Sequence, residues 1–189
     1  MSIEHPPKPA PPVHGGRHAT PVGHAWLAQV PWAHPDAEAL RARQRAEIAE
    51  VYGTTESEPG PAPSAADCAV FVVAYAGPGA RGADRAAGGR PGGGAPVGCG
   101  GLRELGGGLG EVKRMYVEPA WRGTGVAGEL LGALEEWARR RGWRALRLET
   151  GDRQSAAARF YARRGYARIP NFGAYAGLPG SWCFERALT

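Results

Sequence analysis

The sequence predicts one α/β domain built on a mixed sheet of about six or seven strands with helices on its flanks. Strand-like runs rich in β-branched and aromatic residues alternate with segments whose apolar residues recur at helical spacing. The chain has 189 residues, of which 43% are hydrophobic. It is therefore long enough to bury a sizeable core.

The domain is predicted to begin after an N-terminal tail. Residues 1–23 are rich in Pro, Gly and His and contain almost nothing to bury. Such a segment cannot offset the entropy of ordering, so we expect a disordered tail followed by a folded domain over residues 24–189. All 5 histidines lie at or before His34, and they lack the regular spacing of metal ligands. The later core then has no histidine for a Ser-His or Cys-His pair, unless the tail folds over it.

Four strands and one helix are predicted in the first part of the domain. The helix over 35–52 has Leu40, Ile48 and Val51 at helical spacing, and Gly53 ends it. The glycine-rich segment 77–95 is predicted to be a flexible loop between strands. The four strands are assigned to 25–31, 68–76, 96–105 and 109–117.

Two helices and three strands are predicted after residue 118. The first helix places Val126, Leu130, Leu134 and Trp137 on one face, and Gly142 ends it. A strand over 143–150, a helix over 154–164 and a closing hairpin of 166–169 with 181–186 follow.

Charge and cysteine content limit the classes of function. The net charge is +5, but the arginines cluster at helix ends and near a proposed phosphate site, with no basic stripe interleaved with aromatics. We therefore expect an anionic cofactor rather than nucleic acid. No apolar run approaches the ~20 residues of a membrane span. There is no secretory signal pattern, and the 3 cysteines are widely separated, which together favour a reducing cytoplasm.

The segment 122–128 opens the helix that follows the fourth strand, and it predicts a phosphate site. Glycines at a helix mouth let the backbone approach a ligand, and the first amides of the helix have no partner within it. Gly123, Gly125 and Gly128 also match the dinucleotide pattern GxGxxG, with Glu149 at a suitable distance. Three features oppose that interpretation: the preceding strand is charged, five residues separate it from the first glycine, and the chain after Thr150 is too short for the remaining βαβ units.

Three motifs resemble those of the GNAT acetyltransferases. Arg122-x-x-Gly125-x-Ala127 follows a strand that ends in Val-Glu-Pro, as in the family's R/Q-x-x-G-x-G/A motif. QSAAARFYARRGY resembles N-x-x-A-x-x-L-Y-x-x-x-G-F/Y, with Gln154 in place of Asn and Phe160 in place of Leu. VGCGGLREL and GEVKRMYV resemble the third and fourth strands, so the matches run from about Ala69 to Arg186. The resemblance implies the acyl-CoA N-acyltransferase fold, with the sheet split between the strands that end near Val117 and Thr150.

The resemblance also implies a cradle for acetyl-CoA as co-substrate, with no metal. Backbone amides of the loop would bind the pyrophosphate, the Arg122 side chain would contact a phosphate, and Val117 would pair with the pantetheine arm. The expected cofactor-binding residues are Met115, Tyr116, Val117, Arg122, Gly123, Thr124, Gly125, Val126, Ala127, Gly128, Gln154 and Tyr161.

Catalytic roles follow from the same resemblance. Glu111 matches a general base, Tyr161 matches the acid that protonates the CoA thiolate, and the Met115 N–H matches the donor that polarises the thioester carbonyl. Glu149 is the second candidate base. Phe172 and Tyr175 are weaker candidates for walls of the acceptor site.

The expected activity is direct transfer of an acetyl group from acetyl-CoA to a primary amine, with a small molecule as acceptor. Two alternatives remain open: a protein N-acetyltransferase, and a non-catalytic acyl-CoA-binding module. The composition, rich in Ala, Gly, Pro and Arg, suggests a bacterial source, and the resemblance is compatible with a homodimer.

Overall fold

The structure is a computed structural model that describes residues 25–55, 62–77 and 94–188. The predicted tail and most of the glycine-rich loop lie outside these residues, so the division into tail and domain stays a prediction. The strands are β1 (Ala25–Gln29), β2 (Cys68–Ala76), β3 (Pro96–Gly106), β4 (Leu109–Val117), β5 (Ala145–Gly151), β6 (Ala167–Ile169) and β7 (Ser181–Ala187). The helices are α1 (Pro35–Tyr52), α2 (Val126–Arg140) and α3 (Ser155–Arg163).

Seven strands form one sheet in the order β1-β2-β3-β4-β5-β7-β6. Every neighbouring pair is antiparallel except β4 and β5, which are parallel. The predicted mixed sheet is therefore confirmed. The bounds predicted for α1, β2 and β4 agree with the structure, whereas β5 begins at Ala145 instead of Trp143.

Helices cover both faces of the sheet. On one face α1 packs its buried Ala37 and Leu40 against side chains of β2, β3 and β4. On the other face α2 and α3 bury a larger cluster, to which α2 contributes Leu130, Leu134 and Trp137. The apolar stripe predicted for α2 thus faces the main core.

Polar contacts hold α1 in place. The Tyr75 hydroxyl donates to Asp36 Oδ2 (3.1 Å), and Arg41 Nη1 donates to the Trp32 carbonyl (2.8 Å). The Arg41 guanidinium also lies 3.8 Å from the centre of the Trp32 ring. These buried partners complement a helix that has few apolar residues.

The sheet splits between β4 and β5. The two strands pair only at Leu109–Ala145, Gly110–Leu146 and Glu111–Arg147. Beyond those pairs each strand continues without the other, and an opening forms between them.

A β-bulge in β4 lies beside this opening. Lys113 pairs with Gly101 and Tyr116 pairs with Cys99, so Gly100 faces two residues of β4. Arg114, one of the two, has φ 59°, and its carbonyl accepts from the Cys99 thiol at 3.4 Å. A Cβ on Gly100 would stand 2.4 Å from Met115 Sδ. The glycine therefore makes room for the bulged residue, and the bulge redirects the end of β4.

Candidate active site

A cavity of about 400 Å³ passes through the split. Its lining from α1 is Gln44, Ile48 and Tyr52, and its lining from α3 and the residue before it is Gln154, Ala157 and Tyr161. The strands contribute Val112, Lys113, Arg114 and Met115 from β4 and Glu149, Thr150 and Gly151 from β5, and residues 178–181 complete the wall. Because α1 and α3 cover opposite faces of the sheet, the cavity connects the two faces.

The end of β4 presents backbone donors to the opening. Glu118 N–H donates to the Val97 carbonyl (2.9 Å), so by alternation Met115 and Val117 direct their backbone groups away from β3. The Met115 carbonyl accepts from Gln44 Nε2 (3.0 Å), and the Val117 carbonyl accepts from Arg122 Nε (3.0 Å). With both carbonyls occupied, the N–H groups of Met115 and Val117 are the backbone groups left for a ligand.

The mouth of α2 has the features of an anion site. Gly123 and Gly125 have φ of 80° and 101°, and Gly125 is the N-cap of α2. Because glycine has no side chain, it cannot cap the first amides of the helix itself. Among the described residues, no acceptor is found for the amides of 123–127. Thr124 Oγ1 donates to the Trp121 carbonyl (2.7 Å). A run of unpaired amides at the positive end of a helix is suited to a pyrophosphate.

The remaining residues of this loop differ in exposure. Val126 is buried in the main core, and Ala127 packs partly against it. Gly128 is buried under Arg164, because an added Cβ would stand 1.7 Å from Arg164 Nη2. This contact brings the guanidinium of Arg164, at the end of α3, close to the mouth of α2.

Arg122 and Tyr116 are engaged with other protein groups. The second end of the Arg122 guanidinium donates to Glu47 Oε2 of α1 (2.5 Å). Tyr116 packs in the cluster under α1, and its hydroxyl donates to Glu118 Oε2 (3.3 Å). Arg122 therefore links β4 to α1, and a phosphate contact would require its side chain to exchange partners.

Glu111 is fully buried and lies in a polar cluster next to the cavity. Arg103 Nε donates to Glu111 Oε2 (2.8 Å), and the Tyr175 hydroxyl donates to Glu111 Oε1 (2.6 Å). Lys113 Nζ lies 3.7 Å from Glu111 Oε1. The carboxylate is absent from the cavity wall, so a proton from the cavity would reach it through a relay, for which Lys113 and the Tyr175 hydroxyl behind it offer a path.

Glu149 does line the cavity. It is half-buried, and its charge contributes to the raised pKa of Tyr52 and of Tyr175, for both of which burial is the largest cause. Of the two carboxylates predicted as bases, Glu149 is thus the one with direct access to the opening.

Tyr161 and Gln154 lie where α3 meets the cavity. Burial raises the pKa of Tyr161, so its phenol keeps its proton at neutral pH, as a proton donor requires. Its ring packs against Tyr166 with the ring centres 5.7 Å apart, and in the described part of the chain no hydrogen-bond partner of its hydroxyl is found. Gln154 precedes α3, and its Oε1 accepts from the Thr150 hydroxyl (3.3 Å).

Phe172 and Tyr175, which were predicted to line the acceptor site, lie behind the residues that form the cavity wall. Tyr175 is buried, and it accepts from Lys113 Nζ (2.8 Å) while it donates to Glu111. Phe172 packs edge-on against Tyr175, with the ring centres 5.3 Å apart. Neither residue is part of the lining. Tyr175 therefore holds Lys113 and Glu111 from outside the cavity, and Phe172 packs against Tyr175.

Both the sequence and the fold of the chain are similar to those of known proteins. The model of the Acetyltransferase (GNAT) family matches residues 79–166. The crystal structure of a protein from Klebsiella pneumoniae that is described as an acyl-CoA N-acyltransferase superposes with a TM-score of 0.67 at 28% identity, over 87% of this chain and 98% of that protein. The chain is therefore similar to the GNAT acetyltransferases in sequence over residues 79–166, and it shares the fold of an acyl-CoA N-acyltransferase. The predicted resemblance to this family and the predicted fold class are confirmed.

Two curated relatives match about half of this chain. The IAA acetyltransferase of Azospirillum brasilense is 42% identical over 96 residues, which are 50% of this chain and 63% of the relative. An uncharacterized N-acetyltransferase of Bacillus subtilis, YsnE, is 35% identical over 94 residues, which are 49% of this chain and 62% of the relative. The match thus spans less than two thirds of either relative.

Several residues of the cavity wall were missed in the sequence analysis. Lys113 could have been found, since it lies two positions after Glu111 and therefore on the same face of β4. Gln44 and Tyr52 carry no local signal, because only the docking of α1 across the split brings them to the cavity. The segment 178–181 reaches the wall through the loop before β7, which no periodicity defines.

No helix among the described residues is both long and apolar enough to cross a membrane.

Proposed function

We propose that the protein transfers an acetyl group from acetyl-CoA directly to the primary amine of a small molecule. The observation that carries the proposal is the cavity through the split sheet, which opens between the unpaired amides of β4 and a carboxylate on β5. The name of the Azospirillum relative, IAA acetyltransferase, also favours a small-molecule acceptor.

Acetyl-CoA would bind along the mouth of α2 and the end of β4. The amides of 123–127 suit its pyrophosphate, and the N–H of Val117 suits an extended pantetheine arm. The thioester carbonyl would then accept from the Met115 N–H, a fixed donor of the kind that stabilises a developing oxyanion.

The proton route favours Glu149 over Glu111. Glu149 takes one proton from the acceptor ammonium, and the free amine attacks the thioester carbon. As the C–N bond forms and the C–S bond breaks, Tyr161 protonates the leaving thiolate. The nitrogen loses its second proton, which restores the Tyr161 phenol through water. Glu111, predicted as base from the sequence, stays a candidate that would act through Tyr175 or Lys113.

Two substitutions of carboxylate to amide separate the candidate bases. We expect Glu149→Gln to lower kcat by about 100-fold, because general-base catalysis contributes ~10²–10⁴-fold, and Tyr161→Phe to lower it about tenfold. The measurement is CoA thiol release with acetyl-CoA and a panel of primary amines. Glu111→Gln tests the other candidate base, and its melting temperature must be recorded because the substitution disturbs a buried ion pair.

The thiol-release rates of these variants either identify the general base or contradict the proposed mechanism. A loss in Glu111→Gln that exceeds the loss in Glu149→Gln, with folding intact, would return the role to Glu111. If none of the three variants slows thiol release, direct transfer by these residues is wrong. If acetyl-CoA raises the melting temperature but no amine supports thiol release, the non-catalytic acyl-CoA-binding alternative is favoured.

A further inference from the structure

Lys113 and Glu149 face each other across the opening. Glu111 and Arg147 form the last parallel pair of β4 and β5. Lys113 and Glu149 each lie two residues further along, so their side chains leave the same face of the sheet as that pair does. Both line the cavity. An ammonium and a carboxylate therefore stand on opposite walls, just beyond the point where the strands separate.

The Lys113 ammonium is held in a fixed position. Its side chain is 16% exposed, and it donates to the Tyr175 hydroxyl at 2.8 Å. Tyr175 is itself fixed, since its hydroxyl donates to the buried Glu111 carboxylate at 2.6 Å. This hydrogen bond uses one of the three donors of the ammonium. No other acceptor of Lys113 is found in the part of the chain that the structure describes, so the remaining donors can serve a ligand that enters the cavity.

The β4 side of the cavity wall presents cations. Glu111 lies between Arg103, whose Nη2 is 2.7 Å from Glu111 Oε2, and Lys113, whose Nζ is 3.7 Å from Glu111 Oε1. Arg103 also pairs with Asp67 Oδ2 at 3.5 Å, so the cluster behind the wall contains two carboxylates. Neither carboxylate lines the cavity, whereas Lys113 and Arg114 do, so that side of the opening is suited to an anionic group.

We propose that the acceptor is an amine that also carries a carboxylate, an amino acid, whose carboxylate binds Lys113 while its ammonium faces Glu149. The inference rests on the proposed acetyl transfer and names the class of acceptor. A charge-assisted hydrogen bond from Lys113 fixes the carboxylate, and this leaves the amine on the Glu149 side, where its proton is removed.

The rest of the wall indicates the kind of side chain. Ile48 and Tyr52 from α1 and Leu178 and Pro179 from the loop before β7 form its apolar part. A volume of about 400 Å³ lies at the lower end of the range of small-molecule sites. An amino acid with an aliphatic or aromatic side chain matches both the charge pattern and this size.

The test compares acceptors that differ only in the carboxylate. Thiol release from acetyl-CoA is measured with phenylalanine, tryptophan and leucine, and with the matching amines phenethylamine, tryptamine and isoamylamine. We expect kcat/KM for at least one amino acid to exceed that of its amine by about tenfold, which corresponds to ~1.4 kcal/mol, because only the amino acid makes a charge-assisted hydrogen bond with Lys113. In Lys113→Met the ratio should fall to near one through KM, and Lys113→Arg should restore part of it.

Arg45→Met is the matched control, because it removes an exposed cation of α1 and should leave the ratio as in the unmodified protein. Equal kcat/KM values for all pairs, or an equal loss for both members of every pair in Lys113→Met, would overturn the inference.

A binding measurement separates this inference from the proposed function. The CoA-saturated protein is titrated calorimetrically with the same pairs. Tighter binding of an amino acid than of its amine, lost in Lys113→Met, supports carboxylate recognition even if no thiol is released, and the proposed transfer alone would then fail. If no amino acid binds more tightly than its amine, carboxylate recognition is wrong.

Discussion

Gly125 adopts φ 101° and ψ −16° at the start of α2, a region that residues with a Cβ rarely occupy. We expect Gly125→Ala to cost about 1–2 kcal/mol and to raise the Kd for acetyl-CoA about tenfold. The cause is that the loop must shift to relieve the strain, and its amides then lose their alignment. Calorimetric titration with acetyl-CoA measures the effect.

Gly132 provides the control within the same helix. It is exposed, and a Cβ there would meet nothing within 4 Å. Gly132→Ala should therefore stabilise the protein by about 0.5–1 kcal/mol and leave acetyl-CoA affinity unchanged. Equal affinities in the two variants would show that the conformation of Gly125 does not matter to the cradle.

For individual residues, the sequence predicted the role of the glycines at the start of α2 better than it predicted which carboxylate reaches the cavity. Gly123 and Gly125 reveal their role locally, because a positive φ favours glycine wherever the chain folds. The access of Glu111 and Glu149 to the cavity depends on Arg103, Tyr175 and the divergence of two strands. None of these is encoded near either residue.

At the scale of elements, α2 is tied to the last strand through Glu135. This buried carboxylate lies 2.9 Å from Arg186 Nη1 of β7 with both oxygens and accepts from the Tyr166 hydroxyl (3.2 Å). Glu135→Ala should lower the free energy of unfolding by about 1–3 kcal/mol, because Tyr166 is left buried without its acceptor.

Glu136 is the matched control for this link. Its side chain is 46% exposed, and its ion-pair partners within the described residues are arginines of the same helix, at 3.8 Å. Glu136→Ala should change stability by less than about 0.5 kcal/mol. Urea unfolding of both variants measures the difference, and similar losses in the two would remove Glu135 as the link between α2 and β7.

Strong periodicity explains which elements were predicted well. The apolar stripe of α2 and the β-branched run of β2 define their own bounds, since burial on one side repeats with the geometry of the element. The packing of α1 could not be predicted in this way. Its buried faces include Asp36 and Arg41, whose partners, Tyr75 and Trp32, lie outside the helix.

For the whole molecule, buried thiols and phenols predict a loss of stability in alkali. Burial raises the pKa of Cys99 to about 12 and that of Cys68 to about 11, and it also raises the pKa values of Tyr161, Tyr166 and Tyr175. In the unfolded chain these groups titrate near ~8.5 for Cys and ~10 for Tyr. Above those values the unfolded state binds fewer protons, so stability falls as pH rises.

We expect the free energy of unfolding to decrease progressively from about pH 8.5 upward, and more steeply above about pH 10. Urea titrations at a series of pH values, monitored by tryptophan fluorescence, provide the measurement. A free energy that stays constant from neutral pH to about pH 10 would contradict the prediction.

The split in the sheet also creates two interior edges, and an exposed strand edge is a template for pairing with foreign chains. Here the bulge at Arg114 interrupts the regular repeat of donors and acceptors along β4. The carbonyls of Met115 and Val117 are already occupied by Gln44 and Arg122. A strand from another protein would therefore meet backbone N–H donors on this edge of β4, but the carbonyls beside them already accept from side chains. It cannot form a continuous ladder of backbone hydrogen bonds with β4. The same features that leave room for an extended small ligand thus protect the protein against aggregation through its own opening.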